Sequence, residues 1–145
     1  MRRLLWLGLL GCGACLEPGE PFLAVADSKP PEVVSTEPGP GGTVTARGTV
    51  QILFSERMET RTLRPGIAIF AGREEVPLAV TVSPELPGEE DNVERGDIPS
   101  LVTVSAEGGA FTPGTGYTLV LRTSLTDSQG NPLAREVRVP FQTAP

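Results

Sequence analysis

From Val50 onward the chain alternates apolar and polar positions in short runs, with glycine and proline clustered between them. Val50, Ile52 and Phe54 share one face of a run, as do Val102 and Val104 within Leu101–Ala106. Val76, Leu78, Val80 and Val82 alternate with Pro77, Ala79, Thr81 and Ser83. Tyr117, Leu119 and Leu121 alternate with Thr118, Val120 and Arg122, and Val137, Val139 and Phe141 with Arg138, Pro140 and Gln142. Side chains on an extended strand point to opposite faces in turn, so each run predicts a strand with one buried and one wet face. Val33-Val34 and Ile67–Phe70, the latter after a Pro65-Gly66 turn, add two more. Met58–Leu63 has room for one helical turn and no segment reads as a long helix. About seven short strands bounded by Gly/Pro turns predict an all-β fold, an antiparallel sandwich.

The N-terminus follows a different pattern. Arg2 and Arg3 precede an apolar run, Leu4–Leu10, broken only by Gly8. A membrane span needs about 20 apolar residues, so this run is too short to cross and has the form of a secretory signal core. Cys12-Gly13-Ala14-Cys15 comes next. A C-x-x-C pair can be a redox couple or half a metal site, but a redox couple opens a helix in a βαβ frame. A zinc site needs two further ligands, and the chain has two cysteines and no histidine. Leu9-Leu10-Gly11-Cys12 instead resembles the bacterial lipobox. That resemblance implies that the Cys12 thiol is acylated and that the chain is cut before it, leaving Cys12 as the first mature residue. The expected organisation is a lipoprotein signal peptide over 1–11, a lipidated N-terminus and Pro-rich tether over 12–31, and the sandwich over 32–145. An edge strand at Phe22–Val25 is the competing reading of the tether's one apolar stretch. Gly13, where an Asp retains Gram-negative lipoproteins at the inner membrane, implies export to the outer membrane.

Charge and composition narrow the chemistry. The chain carries 12 basic and 18 acidic residues, net −6; loss of residues 1–11 removes two arginines and leaves 10 against 18, net −8. An acidic chain is repelled by nucleic acid and by anionic head groups, so no nucleic-acid partner is expected and attachment to the membrane falls to the acyl chains. Both cysteines lie before the expected domain, so the sandwich holds no disulfide and depends on its apolar core. About 110 residues suffice for that. With no histidine, Ser-His-Asp and Cys-His arrangements and histidine metal sites are excluded. A carboxylate pair could still run glycoside hydrolysis, but nothing in the sequence sets two acids across a cleft. Neither catalysis nor a cofactor is expected.

Two polar stretches invite chemistry. Glu85, Glu89-Glu90-Asp91-Asn92, Glu94 and Asp97 crowd one segment, and clustered carboxylates with an amide carbonyl are the hard oxygen ligands that calcium takes. Glu89, Glu90, Asp91, Asn92 and Asp97 are therefore the candidate metal ligands. Their spacing matches no calcium loop, and Gly88, Gly96 and Pro99 suit an open loop. Across Pro84–Pro99 six carboxylates face the single Arg95, a balance that belongs in water because burying it would cost desolvation. In Asp127-Ser128-Gln129-Gly130-Asn131, Asp127 is placed to start a turn by bonding its own backbone and Gly130 to supply positive φ. The expected role is structural, a turn linking the last two strands.

Over Lys29–Thr143 the order of motifs resembles the bacterial Ig-like domains of S-layer and other exported proteins. The matching stretches are Pro30–Pro38, Ile52-Leu53-Phe54-Ser55-Glu56-Arg57-Met58, Phe111–Tyr117, Leu125–Leu133 and the closing Phe141-Gln142-Thr143. Arg57 departs from the Pro or Ala common there, and Pro84–Pro99 is a long acidic insertion. Ig-like sandwiches set a tyrosine at the start of the penultimate strand, its hydroxyl bonded back to the main chain; Tyr117 stands there, and Leu119 occupies the place of the disulfide cysteine of antibody domains. The resemblance implies a structural, adhesive or protein-binding role in the cell envelope, with another envelope protein or a glycan as partner. The alternative is a small calcium-dependent, or carbohydrate-binding or carbohydrate-acting, domain that uses loop 85–97.

Overall fold

The alternating runs become strands of two sheets, all but one of them inner strands. The computed structural model describes residues 27–83 and 98–145. They form β1 (Val33–Glu37), β2 (Gly42–Val44), β3 (Val50–Phe54), α1 (Thr60–Gly66), β4 (Ile67–Ala71), β5 (Glu74–Glu75), β6 (Leu78–Val82), β7 (Ser100–Ala106), β8 (Gly116–Leu121) and β9 (Val137–Thr143). One sheet has the order β1-β3-β7-β6 and the other β2-β9-β8-β4-β5. Val50, Ile52 and Phe54 of β3 and Val102 and Val104 of β7 meet Ile67 and Ile69 of β4, Leu119 and Leu121 of β8 and Val139 and Phe141 of β9 in one buried cluster. The fold is the expected all-β sandwich, and no cysteine lies among the described residues.

Several details differ from the sequence reading. The described residues form nine strands rather than about seven. β2 and β5 have three and two residues and owe their existence to neighbours: β5 folds back on β4 across a two-residue turn in which Gly72 takes φ 63°. β2 runs parallel to β9, so the sandwich is antiparallel in every pair but that one. The helical turn falls at Thr60–Gly66, with the Arg61 N–H capped by the Glu59 side chain and the Thr62 N–H donating to Glu59 O. Val82 is 38% exposed rather than inward, because β6 is an outer strand with a partner on one side only. Ile98, expected in a solvated segment, is buried just ahead of β7. Just before β1, Pro31 is fully buried, and Glu32 and Ser55 exchange hydrogen bonds, the Ser55 N–H donating to Glu32 O and the Glu32 N–H to Ser55 Oγ.

At the far end of the sandwich, Phe111, Tyr117 and Phe141 pack with ring centroids 5.2–6.1 Å apart. Tyr117 Oη accepts from Thr112 N–H at 2.8 Å. The buried Thr143 hydroxyl donates to Thr112 O at 2.6 Å and accepts from Thr115 N–H at 3.0 Å. Two hydroxyls thus hold the 112–115 turn. Tyr117→Phe removes one acceptor and leaves the rings in place, so it lowers stability by about 1 kcal/mol in chemical denaturation; a loss above about 3 kcal/mol would mean that the hydroxyl anchors more than this turn.

Candidate functional site

At the end of the sandwich where the chain enters, three acids from distant parts of the sequence converge. Antiparallel pairing of β1 with β3, Val33 opposite Phe54, lays the segment before β1 beside the segment after β3. That brings Asp27 to Glu56. Glu56 is buried by the same alternation that buries its predecessors: Val50, Ile52, Phe54 and Glu56 all point inward. The third acid comes from the loop between β8 and β9. Met58 and Asp127 form an isolated antiparallel bridge, Ser128 N–H donates to Arg57 O, and Glu59 N–H donates to Thr126 O. The helix end seats against the same loop, and only glycine permits the approach: a Cβ at Gly66 would lie 2.5 Å from Leu125 Cγ.

Asp127 is 1% exposed and Glu56 3%; Asp27 is half-buried. One carboxylate oxygen from each lies within 4.8 Å of the others. Asp127 is held firmly. Its Oδ1 accepts from the N–H groups of Gln129 and Asn131, both at 2.8 Å, and its Oδ2 from Asn131 Nδ2 at 2.9 Å. Gly130, at φ 92°, lets the loop close on the carboxylate. Asn131 Nδ2 also donates to the main-chain carbonyl of Asp27 at 3.0 Å, which ties the lead-in to the loop. Oε1 of Glu56 is buried and meets no donor among the described residues.

The two inner carboxyls are driven apart in acidity. Burial, then the charge of Asp27 and the contact with Asp127, push the Glu56 carboxyl above its ordinary value. Burial pushes Asp127 the same way, but the hydrogen bonds from Asn131, Gln129 and Glu56 outweigh it and hold that carboxyl below its ordinary value. Three carboxylates in one buried place can share a proton or hold a cation. They are poorly placed for acid–base work on a substrate, because glycosidase pairs stand about 5–9.5 Å apart across an open cleft whereas Glu56 and Asp127 are sealed from solvent with carboxylate oxygens within 4.8 Å of each other.

The sequence profile of the bacterial Ig-like domain family matches residues 27–143. The chain belongs to that family. The match begins at Asp27, so all three acids of the cluster lie inside the Ig-like domain. Among solved structures, the S-layer protein SbsC is similar at 16% identity and a TM-score of 0.49; the match covers 80% of this chain and 14% of that one, so the chain spans about a seventh of the S-layer protein's length. PcoC, a methionine-rich copper resistance protein from Escherichia coli, is similar at 20% identity and a TM-score of 0.49, over 79% of this chain and 99% of that one. No curated protein was found to match the sequence.

Of the residues singled out in the sequence, Asp127 and Gly130 form the turn on which the cluster is built, while Tyr117 and Leu119 lie in the core. Cys12 and Cys15, Phe22–Val25 and, in the acidic segment, Glu85, Glu89, Glu90, Asp91, Asn92, Glu94 and Asp97 lie outside the described residues. Asp27 and Glu56 were missed as site residues. Glu56 had a readable signal, an acid in phase with the apolar face of the strand before it. Asp27 had none.

Proposed function

We propose that this chain is a lipid-anchored module of the bacterial cell envelope whose Ig-like sandwich plays a structural or protein-binding role without catalysis. The observation that carries the reading is the lipobox-like Leu9-Leu10-Gly11-Cys12, set a short, proline-punctuated distance before an Ig-like domain. Acyl chains on Cys12 supply the attachment that an acidic surface cannot. Among the described residues no helix is long and apolar enough to cross a membrane. The domain then works by its surface, presented to another envelope protein or a glycan, and Gly13 after the cysteine favours the outer membrane.

Cell fractionation tests the anchor. Cys12→Ser is expected to move the protein out of the membrane fraction or leave it unprocessed, whereas Cys15→Ser leaves its distribution as it was. Membrane retention of processed Cys12→Ser, or release by Cys15→Ser, would overturn the assignment.

A further inference from the structure

We infer that Asp27, Glu56 and Asp127 form a binding site for a hard divalent cation, calcium by its donor set, which clamps the entry of the chain to the loop between β8 and β9. The inference goes beyond the envelope role and holds whether or not Cys12 is acylated. Its starting point is Oε1 of Glu56, an oxygen sealed from solvent in a side chain 3% exposed, with no donor among the described residues. Such an atom is costly unless something positive lies beside it. A proton shared with Asp127 satisfies one pair of carboxyls and leaves the third negative charge, Asp27, beside them. A divalent ion satisfies all three at once.

The surroundings favour an ion over a splayed arrangement of acids. Asp27 is not left to swing into solvent. Its carbonyl is bound by Asn131 Nδ2 at 3.0 Å, and its own Oδ1 accepts from Lys29 N–H at 2.9 Å. Asn131 therefore fixes two of the three acids, since it also binds the Asp127 carboxylate. The charge of Lys29 acts on Glu56 in the opposite sense, and more weakly than burial or either carboxylate.

The donors select the ion. All three are carboxylate oxygens, with no sulfur or imidazole among them, the donor set of a hard cation. Calcium takes carboxylates singly or bidentately in a flexible shell at about 2.3–2.6 Å, whereas magnesium keeps several waters and is ordinarily held through only one or two carboxylates. The three oxygens lie within 4.8 Å of one another, so one calcium ion reaches all of them with small adjustments. The second carboxylate oxygens and water would complete its shell. An ion there joins the segment before β1, the end of β3 and the 125–133 loop, and so fixes the direction in which the chain enters the domain.

The test uses the purified full chain, stripped with EDTA and titrated with calcium chloride by calorimetry and by thermal melting. One calcium site is expected, with a melting temperature that climbs with calcium concentration as for any ligand specific to the folded state. Asp27→Asn and Glu56→Gln each weaken calcium binding by about tenfold or more, since even groups that only support metal ligands are worth that much. Asp27→Asn, at a half-buried position, keeps the wild-type melting temperature in EDTA, which separates loss of the ion from loss of the fold. Joint replacement of Glu89→Gln, Glu90→Gln and Asp91→Asn leaves the affinity unchanged, and magnesium chloride gives a smaller shift. No heat and no shift up to about 10 mM calcium, well above the weakest extracellular sites, would overturn the inference. So would binding that survives both Asp27→Asn and Glu56→Gln, or that disappears with the loop replacement; an equal response to magnesium would overturn the choice of calcium.

Discussion

Leu119→Ala is expected to cost the domain about 2–5 kcal/mol, the range for removing a buried leucine and leaving a cavity. Leu119 is wholly buried, opposite Ile69 on β4 and Val139 on β9, in the middle strand of the five-stranded sheet. Its side chain also belongs to the cluster with Ile52, Phe54 and Val102 of the facing sheet, so a truncation there opens space between the two layers. With no disulfide among the described residues, the apolar core carries the stability, and a small domain has only about 5–15 kcal/mol in hand. Urea denaturation measures the loss as a lower midpoint at unchanged slope. A loss under about 1 kcal/mol would show that the cavity collapses freely and that the two sheets are less tightly packed than the burial indicates.

The second large effect is at Asp127. Its carboxylate accepts three hydrogen bonds, two from the main chain of its own loop and one from Asn131, and bonds to charged groups contribute about 1.5–3 kcal/mol each. Those bonds share one loop and do not add independently, so Asp127→Ala is expected to lose about 3 kcal/mol or somewhat more. Asp127→Asn keeps an acceptor for the loop amides and turns an NH₂ toward Glu56, at the expense of the bond from Asn131 Nδ2. Its loss should be clearly smaller. Denaturation in EDTA reads the protein part of the effect without any ion. Equal losses for the two variants would mean that the negative charge, rather than the shape of the loop, is what Asp127 contributes.

Much of the fold was legible because period-2 alternation is a direct consequence of burying one face. Val50–Phe54, Leu101–Ala106, Tyr117–Leu121 and Val137–Phe141 read as strands from sequence and are the middle strands of the two sheets or border them. The failures have a common physical cause. Gly42–Val44 and Glu74–Glu75 have no intrinsic strand pattern; they are extended because β9 and β4 offer partners, and pairing is invisible along a single sequence. The site was legible only in part for the same reason. Asp127 and Gly130 declared a turn, and they make one. The meeting of Asp27, Glu56 and Asp127 depends on strand register and on the bridge between Met58 and Asp127, which no local motif encodes. Glu56 alone carried a clue. The alternation of Val50, Ile52 and Phe54 continues through it, so an acid falls where a core residue should be, and a buried acid demands a partner.

The envelope role rests on the anchor, and mass spectrometry of the mature N-terminus, on protein taken from the membrane fraction, tests it most directly. The account predicts a chain that begins at Cys12 and carries the added mass of its acyl chains. An unmodified terminus beyond Cys15, or an intact Met1, would contradict it.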